Sequence, residues 1–219
     1  MKSLLLFGGT FDPVHNGHTA MATAAMAETG VAHLIVFPAG NPWQRGRLPV
    51  AAALDRASMV QIAFADTVGA SIDTRELERQ GATYTVDTLR ELRQLHGANA
   101  SLSWLIGGDA FARMDSWYQW QSLFTFANFA VVVRQGEPHP MVVASATLTT
   151  YLANRQTGAR ALGNSPCGKV AVLAAAVPPV SSTELRARLK NHQSIRGLAP
   201  DAVCDYIEQH HLYEQQEKS

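Results

Sequence analysis

An α/β fold, a parallel sheet covered by helices on both faces, follows from three features of this 219-residue sequence. Short apolar runs of strand length recur along the chain. Stretches with helical spacing separate them, and the first and fourth runs end in glycine pairs. Strands that are apolar on both faces must be covered on both sides, and strands alternating with helices pair in parallel.

The elements follow in order. Residues 4–7 (Leu-Leu-Leu-Phe) form the first strand, stopped by Gly8 and Gly9. Residues 18–29 carry small and apolar side chains without a breaker, and Gly30 stands where a C-terminal cap belongs. Residues 34–37 are the second strand, closed by Pro38, Gly40 and Pro42. Residues 55–65 make an amphipathic helix with Met59, Ile62 and Ala63 on one face. Residues 71–73 are a short third strand, and 85–95 a helix with Leu89, Leu92 and Leu95 turned inward. Residues 102–106, 129–133 and 170–173 are the remaining strands, and the loop-rich stretch 136–169 carries one helix over 141–154. The order is that of a doubly wound, Rossmann-like sheet in a single domain spanning residues 1–219, with a small C-terminal helical part from about residue 178. Ligands in such sheets bind beyond the carboxyl ends of the strands. That rule singles out Gly8-Gly9, residues 39–47, residues 107–109 and residues 178–186.

Composition narrows the class. The chain is 47% hydrophobic and 16% charged, with 18 basic and 18 acidic residues and no net charge. Such a chain buries enough surface to fold, and it has no basic field for broad binding to nucleic acid or acidic membranes. Its two cysteines, Cys167 and Cys204, are too few for a disulfide framework and form no CxxC pair. Four apolar residues after Lys2 and Ser3 are too short for a secretory segment, and no run reaches the length of a membrane span. A soluble cytoplasmic protein is expected, without nucleic-acid or membrane partners.

The loop after the first strand reads Gly8-Gly9-Thr10-Phe11-Asp12-Pro13-Val14-His15-Asn16-Gly17-His18. It lacks GxGxxG spacing, which removes support for a dinucleotide oxidoreductase. The stretch from Gly163 to Gly168-Lys169 imitates a phosphate loop, but Val170 replaces the metal-binding hydroxyl and a strand follows where one should precede. The first loop can hold phosphate on physical grounds. Its glycines allow close backbone approach, and the helix opening at Asn16 or Gly17 offers unpaired N–H groups. His15 and His18, three apart, can donate to phosphate oxygens and neutralise charge by partial protonation. Capping and packing is one competing role for the pair, and a metal site with Asp12 is another.

These residues resemble the signature of the nucleotidylyltransferase superfamily, and further segments narrow the likeness. Gly81-Ala82-Thr83-Tyr84-Thr85-Val86-Asp87-Thr88-Leu89, Ile106-Gly107-Gly108-Asp109 with Trp117, and Ser181-Ser182-Thr183-Glu184-Leu185-Arg186 are similar, in order, to motifs of bacterial nicotinate-nucleotide adenylyltransferases. The chain's end, through Leu198, Pro200, Tyr206 and Ile207 to Leu212-Tyr213, fits as well. The resemblance implies transfer of AMP from ATP to nicotinate mononucleotide, with Mg²⁺ bridged by phosphates rather than held by protein ligands. It implies ATP contacts from Gly8, Gly9, Thr10, Phe11, His18, Ser181, Ser182, Thr183 and Arg186. Tyr84 and Thr85 would offer N–H groups to the nicotinate carboxylate, Trp117 would stack on its ring, and Asp109 would lie near the mononucleotide or else cap a helix. His15, His18, Arg45 and Arg186 would act on the phosphates. The family's usual Pro-Pro-His-basic stretch is replaced here by Asn41-Pro42-Trp43-Gln44-Arg45, so Arg47 could substitute for Arg45. Arg56 reads as a solvated helix residue. The alternatives are another adenylyl- or cytidylyltransferase, such as phosphopantetheine adenylyltransferase, and a non-catalytic dinucleotide-binding module.

Overall fold

The computed structural model describes residues 2–42, 48–134 and 136–214. Strands β1 (Ser3–Gly9), β2 (Leu34–Pro38), β3 (Ala70–Ile72), β4 (Ser101–Gly107), β5 (Asn128–Arg134) and β6 (Val170–Ala175) form one parallel sheet in the order β3-β2-β1-β4-β5-β6. β1 pairs with β2 through Leu5 opposite Leu34, and with β4 through Leu4 opposite Leu102. The winding reverses between β1 and β4, so a crevice opens beyond Gly9 and Gly107. This is the doubly wound, Rossmann-like architecture expected.

Alternate residues of β1 feed two cores. Leu5 and Phe7 join the core built with Ala22 and Ala25 of α1 (Asn16–Thr29), Met59 and Val60 of α2 (Ala53–Ala63), Leu185 of α8 (Ser182–Lys190), and Val203 and Ile207 of α9 (Asp201–Gln209). Leu4 and Leu6 join the opposite core, with Leu89 and Leu92 of α3 (Thr85–His96) and Leu123 and Phe124 of α5 (Trp120–Phe126). Each of these β1 side chains is therefore buried on one face or the other, which fixes the strand's register. Between β4 and α5, a single turn α4 (Gly108–Phe111) follows the strand directly. No helix among the described residues is long and apolar enough to cross a membrane.

The structure corrects the expected elements in several places. The second helix begins at Ala53 and ends at Ala63, β3 begins at Ala70, and β6 runs on to Ala175. The stretch 136–169 carries two short helices where one was expected, α6 (Pro140–Val143) and α7 (Ala146–Leu152), with a 3-10 segment at Ala159–Asn164. Ser145 separates them, since its hydroxyl accepts from Leu148 N–H and starts a new helix. Leu95 is 65% exposed, while Leu89 and Leu92 are fully buried. Two steps of three residues rotate about 120° away from the starting face, so Val86, Thr88, Leu89 and Leu92 make the inward stripe.

This register predicts unequal costs for two similar substitutions. Leu92→Ala should lower unfolding free energy in urea by about 2–5 kcal/mol, and Leu95→Ala by less than about 0.5 kcal/mol.

Candidate active site

A cavity of about 770 Å³ opens at the reversal point of the sheet. Gly8, Gly9 and Thr10 reach it from the end of β1, and Gly107 and Asp109 from the end of β4. The first turns of three helices also line it, through Gly17 and His18 of α1, Thr85 of α3, and Ser182 and Thr183 of α8.

The α1 and α8 entrances meet. Ser182 Oγ donates to Pro13 O at 2.9 Å. A Cβ on Gly17 would lie 3.0 Å from the His15 ring and 3.4 Å from Pro178 O, so the approach needs a residue without one. His15 and His18 stack with ring centroids 3.7 Å apart and planes 28° apart. His15 N–H donates to His18 Nδ1 at 3.2 Å. That bond makes Nδ1 an acceptor and leaves the His18 proton on Nε2. Phe11, buried in a left-handed conformation with φ 49°, sets its ring edge-on to His18 at 5.0 Å.

His15 is buried, and its Nδ1 makes no hydrogen bond to the protein. Burial, reinforced by the positive charge of Arg134, holds its pKa down to about 4. The expected partial protonation does not hold for His15 in this site: the ring is neutral near pH 7 because the protein has removed the water that would solvate its charge. A bound phosphate would reverse that balance.

The α3 entrance lies beside the end of β2. Thr83 N–H donates to Asn41 O at 2.9 Å, Asn41 N–H donates to Thr83 Oγ1 at 3.1 Å, and Pro42 pairs with Thr83. Tyr84 is the N-cap of α3 and supplies no side-chain cap, so helix geometry leaves the N–H groups of Thr85 and Val86 without an intrahelical acceptor. The Tyr84 ring packs on Tyr118 at 4.6 Å and does not line the cavity. Trp117 does line it and is half-buried. Asp109 is exposed at the rim, 3.7 Å from Arg113, in a turn whose N-cap is Gly107, so it is not the cap.

Arg186 takes a different place from the one expected. Its Nη1 donates to Asp12 O at 2.5 Å and its Nη2 to Thr183 Oγ1 at 3.2 Å, and it is not among the cavity's lining residues. The guanidinium braces the loop between β1 and α1. Arg45 and Arg47 lie outside the described residues. The Asp12 carboxylate is engaged by the protein, accepting from Val50 N–H, Ala51 N–H and the Tyr213 hydroxyl. Among the described residues no cluster of three metal-ligating side chains occurs.

Three features around the cavity escaped the sequence reading. Arg56 is only 1% exposed, and it donates to Thr10 O (2.8 Å), Ala39 O (2.6 Å) and Gly40 O (3.2 Å). The supposed solvated residue therefore ties the loops after β1 and β2 together. Arg134 reaches the cavity from the carboxyl end of β5. A basic residue closing the apolar run 129–133 was the available signal. Glu76, 4% exposed, lines the cavity and accepts from Thr88 Oγ1 at 2.6 Å, while Arg79 Nη1 donates to the same hydroxyl oxygen at 2.7 Å. Burial pushes its pKa up to about 7, against the pull of Thr88 and Arg79.

Comparison with known proteins agrees with this geometry. A family model described as cytidylyltransferase-like matches residues 6–188. The chain is 39% identical over 213 residues to a protein of Dechloromonas aromatica named probable nicotinate-nucleotide adenylyltransferase, covering 97% of this chain and 98% of that one. A protein of Laribacter hongkongensis with the same name is 40% identical over 215 residues, covering 95% and 93%. Among solved structures, the Plasmodium falciparum nicotinic acid mononucleotide adenylyltransferase complexed with NaAD superposes with a TM-score of 0.69 at 18% identity, covering 97% of this chain and 98% of that one. A putative nicotinate-nucleotide adenylyltransferase from Vibrio parahaemolyticus gives 0.64 at 14% identity, covering 99% and 98%.

Glu76 gives this site a pH signature. The folded chain holds the Glu76 proton up to about pH 7, and an unfolded glutamate only to about 4.5. Its contribution to stability is therefore full below about 4.5 and lost as pH rises through 7. His15 works in the opposite sense, since its depressed pKa favours the fold above 6.5 and that contribution is lost as pH falls towards 4. Comparing Glu76→Gln with wild type cancels the histidine. Between about pH 5 and pH 8 the wild type should lose up to about 3 kcal/mol relative to the variant, measured by unfolding at each pH. Parallel profiles would remove Glu76 as the titrating group.

Proposed function

The chain belongs to the nicotinate-nucleotide adenylyltransferases, within the cytidylyltransferase-like family, and from that premise we propose how its cavity transfers AMP from ATP to nicotinate mononucleotide. The products are nicotinate adenine dinucleotide and pyrophosphate, a step of NAD biosynthesis. One observation carries the reading. A single cavity receives two helix N-termini that meet, α1 and α8, and a third, α3, beside the end of β2. Helix N-termini attract anions through their unpaired N–H groups and positive dipole ends. The substrates carry matching anions, a triphosphate on one and a ring carboxylate and phosphate on the other.

The attacking group, a phosphate oxygen of the mononucleotide, is already anionic at neutral pH, so the step needs no general base. It adds to the α-phosphorus in line with the departing pyrophosphate, and no covalent enzyme intermediate forms. The chain's part is alignment and charge stabilisation. Gly8, Gly9 and Thr10 bring backbone close to the ATP phosphates, with Phe11 fixing the His18 ring from below. His18 Nε2–H donates to an α-phosphoryl oxygen as negative charge develops there. His15 stands against it as a neutral imidazole that gains a proton only when phosphate compensates its burial. Ser181, Ser182 and Thr183 hold the triphosphate from the α8 side, where Ser181 already caps Glu184 N–H at 3.2 Å. Arg186 acts on these groups through the loop it braces. Arg45 is assigned the triphosphate tail on the family motif alone.

Beside β2, the N–H groups at Thr85 and Val86 take the nicotinate carboxylate, adjoining Tyr84. Trp117 stacks on the pyridine ring. Arg134 and Asp109 face the mononucleotide between the two ends. Mg²⁺ arriving with ATP would supply charge neutralisation to the phosphates. The donor set fits a metal held by the substrate, since the Asp12 carboxylate already accepts three hydrogen bonds from the protein.

Carboxylate recognition by main-chain donors predicts acid-over-amide selectivity. A nicotinamide NH₂ would set donors against donors, and a site built on such pairing discriminates by up to about 10⁴–10⁵. Pyrophosphate release from ATP should therefore show nicotinate mononucleotide preferred over the amide by orders of magnitude in kcat/KM. His18→Ala should cost roughly 10²–10³ in kcat on the preferred substrate. Equal efficiency on both mononucleotides would overturn the assignment of the α3 end, and a normal kcat in the variant would overturn that of His18.

A further inference from the structure

Two tyrosines of the C-terminal segment end on aspartates of the sheet-bearing part. Tyr206 of α9 donates to Asp55 Oδ1 of α2 at 3.0 Å. Tyr213 donates to Asp12 Oδ1 at 2.9 Å across 201 residues of chain. The bonds are alike in chemistry and length. Their destinations differ: Asp55 sits on a helix that contributes nothing to the cavity lining, and Asp12 sits in the loop between Thr10 and His15, which both line it.

Asp12 is already crowded with donors. Val50 N–H reaches Oδ2 at 2.9 Å, Ala51 N–H reaches Oδ1 at 3.0 Å, and the Arg186 guanidinium lies 3.7 Å from Oδ2. Tyr213 joins them at the expense of its own backbone. Its φ is 69°, and that of His211 is 51°, values that L-residues with large side chains rarely adopt. Strain of this kind persists only where surrounding contacts over-determine it. Burial and the Asp12 charge push the Tyr213 pKa well above the ordinary phenol range, so the hydroxyl stays a donor at every working pH.

We propose that the Tyr213 hydroxyl is a positioning group of the ATP site, acting through the Asp12 carboxylate to hold the loop that carries Thr10 and His15. Both the ATP site and the reaction that this loop serves rest on the function proposed above. Removing the hydroxyl leaves Asp12 with two N–H donors and a guanidinium beyond hydrogen-bond reach. The loop then gains freedom on the side facing the phosphates.

The test is a matched pair, Tyr213→Phe and Tyr206→Phe, each deleting one oxygen. Both should fold, and thermal melts should show comparable losses of stability. ATP binding, measured by calorimetry with the non-hydrolysable α,β-methylene analogue, should weaken about tenfold in Tyr213→Phe and stay within about twofold of wild type in Tyr206→Phe. With nicotinate mononucleotide as acceptor, the KM for ATP should rise in Tyr213→Phe alone. Wild-type affinity in Tyr213→Phe overturns the proposal, as does equal weakening in both variants, which would mean general loosening of the C-terminal segment. Absence of pyrophosphate release from the wild type would overturn the reaction instead, leaving the affinity comparison to decide the role of Tyr213.

Discussion

The Asp12 carboxylate is the interaction on which the rest of the site depends. Three donors from two separate parts of the chain hydrogen-bond to it, the main-chain N–H groups of Val50 and Ala51 and the Tyr213 hydroxyl, and the Arg186 guanidinium lies 3.7 Å away as a charge partner. Its carbonyl takes Arg186 as well. A buried carboxylate is costly to desolvate and is tolerated when hydrogen bonds and a nearby opposite charge compensate it. Those bonds make the turn from β1 into α1 a fixed object. Arg56 performs the same service from the other side by holding the Thr10, Ala39 and Gly40 carbonyls. Between the two clamps the loop presents His15 and His18 to the cavity.

The mechanism proposed above would need that rigidity. With neither a general base nor a covalent intermediate, its rate would depend on donors that already point where charge develops. Parallel topology sets the frame for them, because β1 and β4 end side by side and the first turns of α1, α3 and α8 line the cavity beyond those ends. The stacked imidazoles refine this. The His15 N–H to His18 Nδ1 bond selects the tautomer that can donate outward, and burial keeps His15 neutral near pH 7.

Much of this was legible in the sequence, for identifiable reasons. Continuous apolar runs ending in glycine reveal the strands and their ligand-facing ends, and the Gly-Gly and His-x-x-His spacing reveals the helix entrance. Side chains whose partners are distant carbonyls are not legible. Arg56 reads as a surface arginine on a helix because nothing local shows that three loop carbonyls surround it. Arg186 hydrogen-bonds the Asp12 carbonyl, a partner that the motif does not give away, since a motif names a residue without giving its direction. Glu76 lies in a loop with no periodicity, and its buried setting comes from Thr88 twelve residues away. Leu95 is misplaced by extending a three-residue step one turn too far.

The most direct test of this account is Asp12→Asn, assayed for pyrophosphate release well below its melting temperature. Every neighbour of the carboxylate is a donor, so the amide NH₂ must confront at least one of them, at about 1–3 kcal/mol for each bond spoiled. If Asp12 holds the loop, the folded variant should lose roughly 10–10² in kcat/KM, with the loss shared between ATP binding and turnover. Wild-type kinetics in that folded variant would show that the loop keeps its geometry without the carboxylate, and would contradict the account.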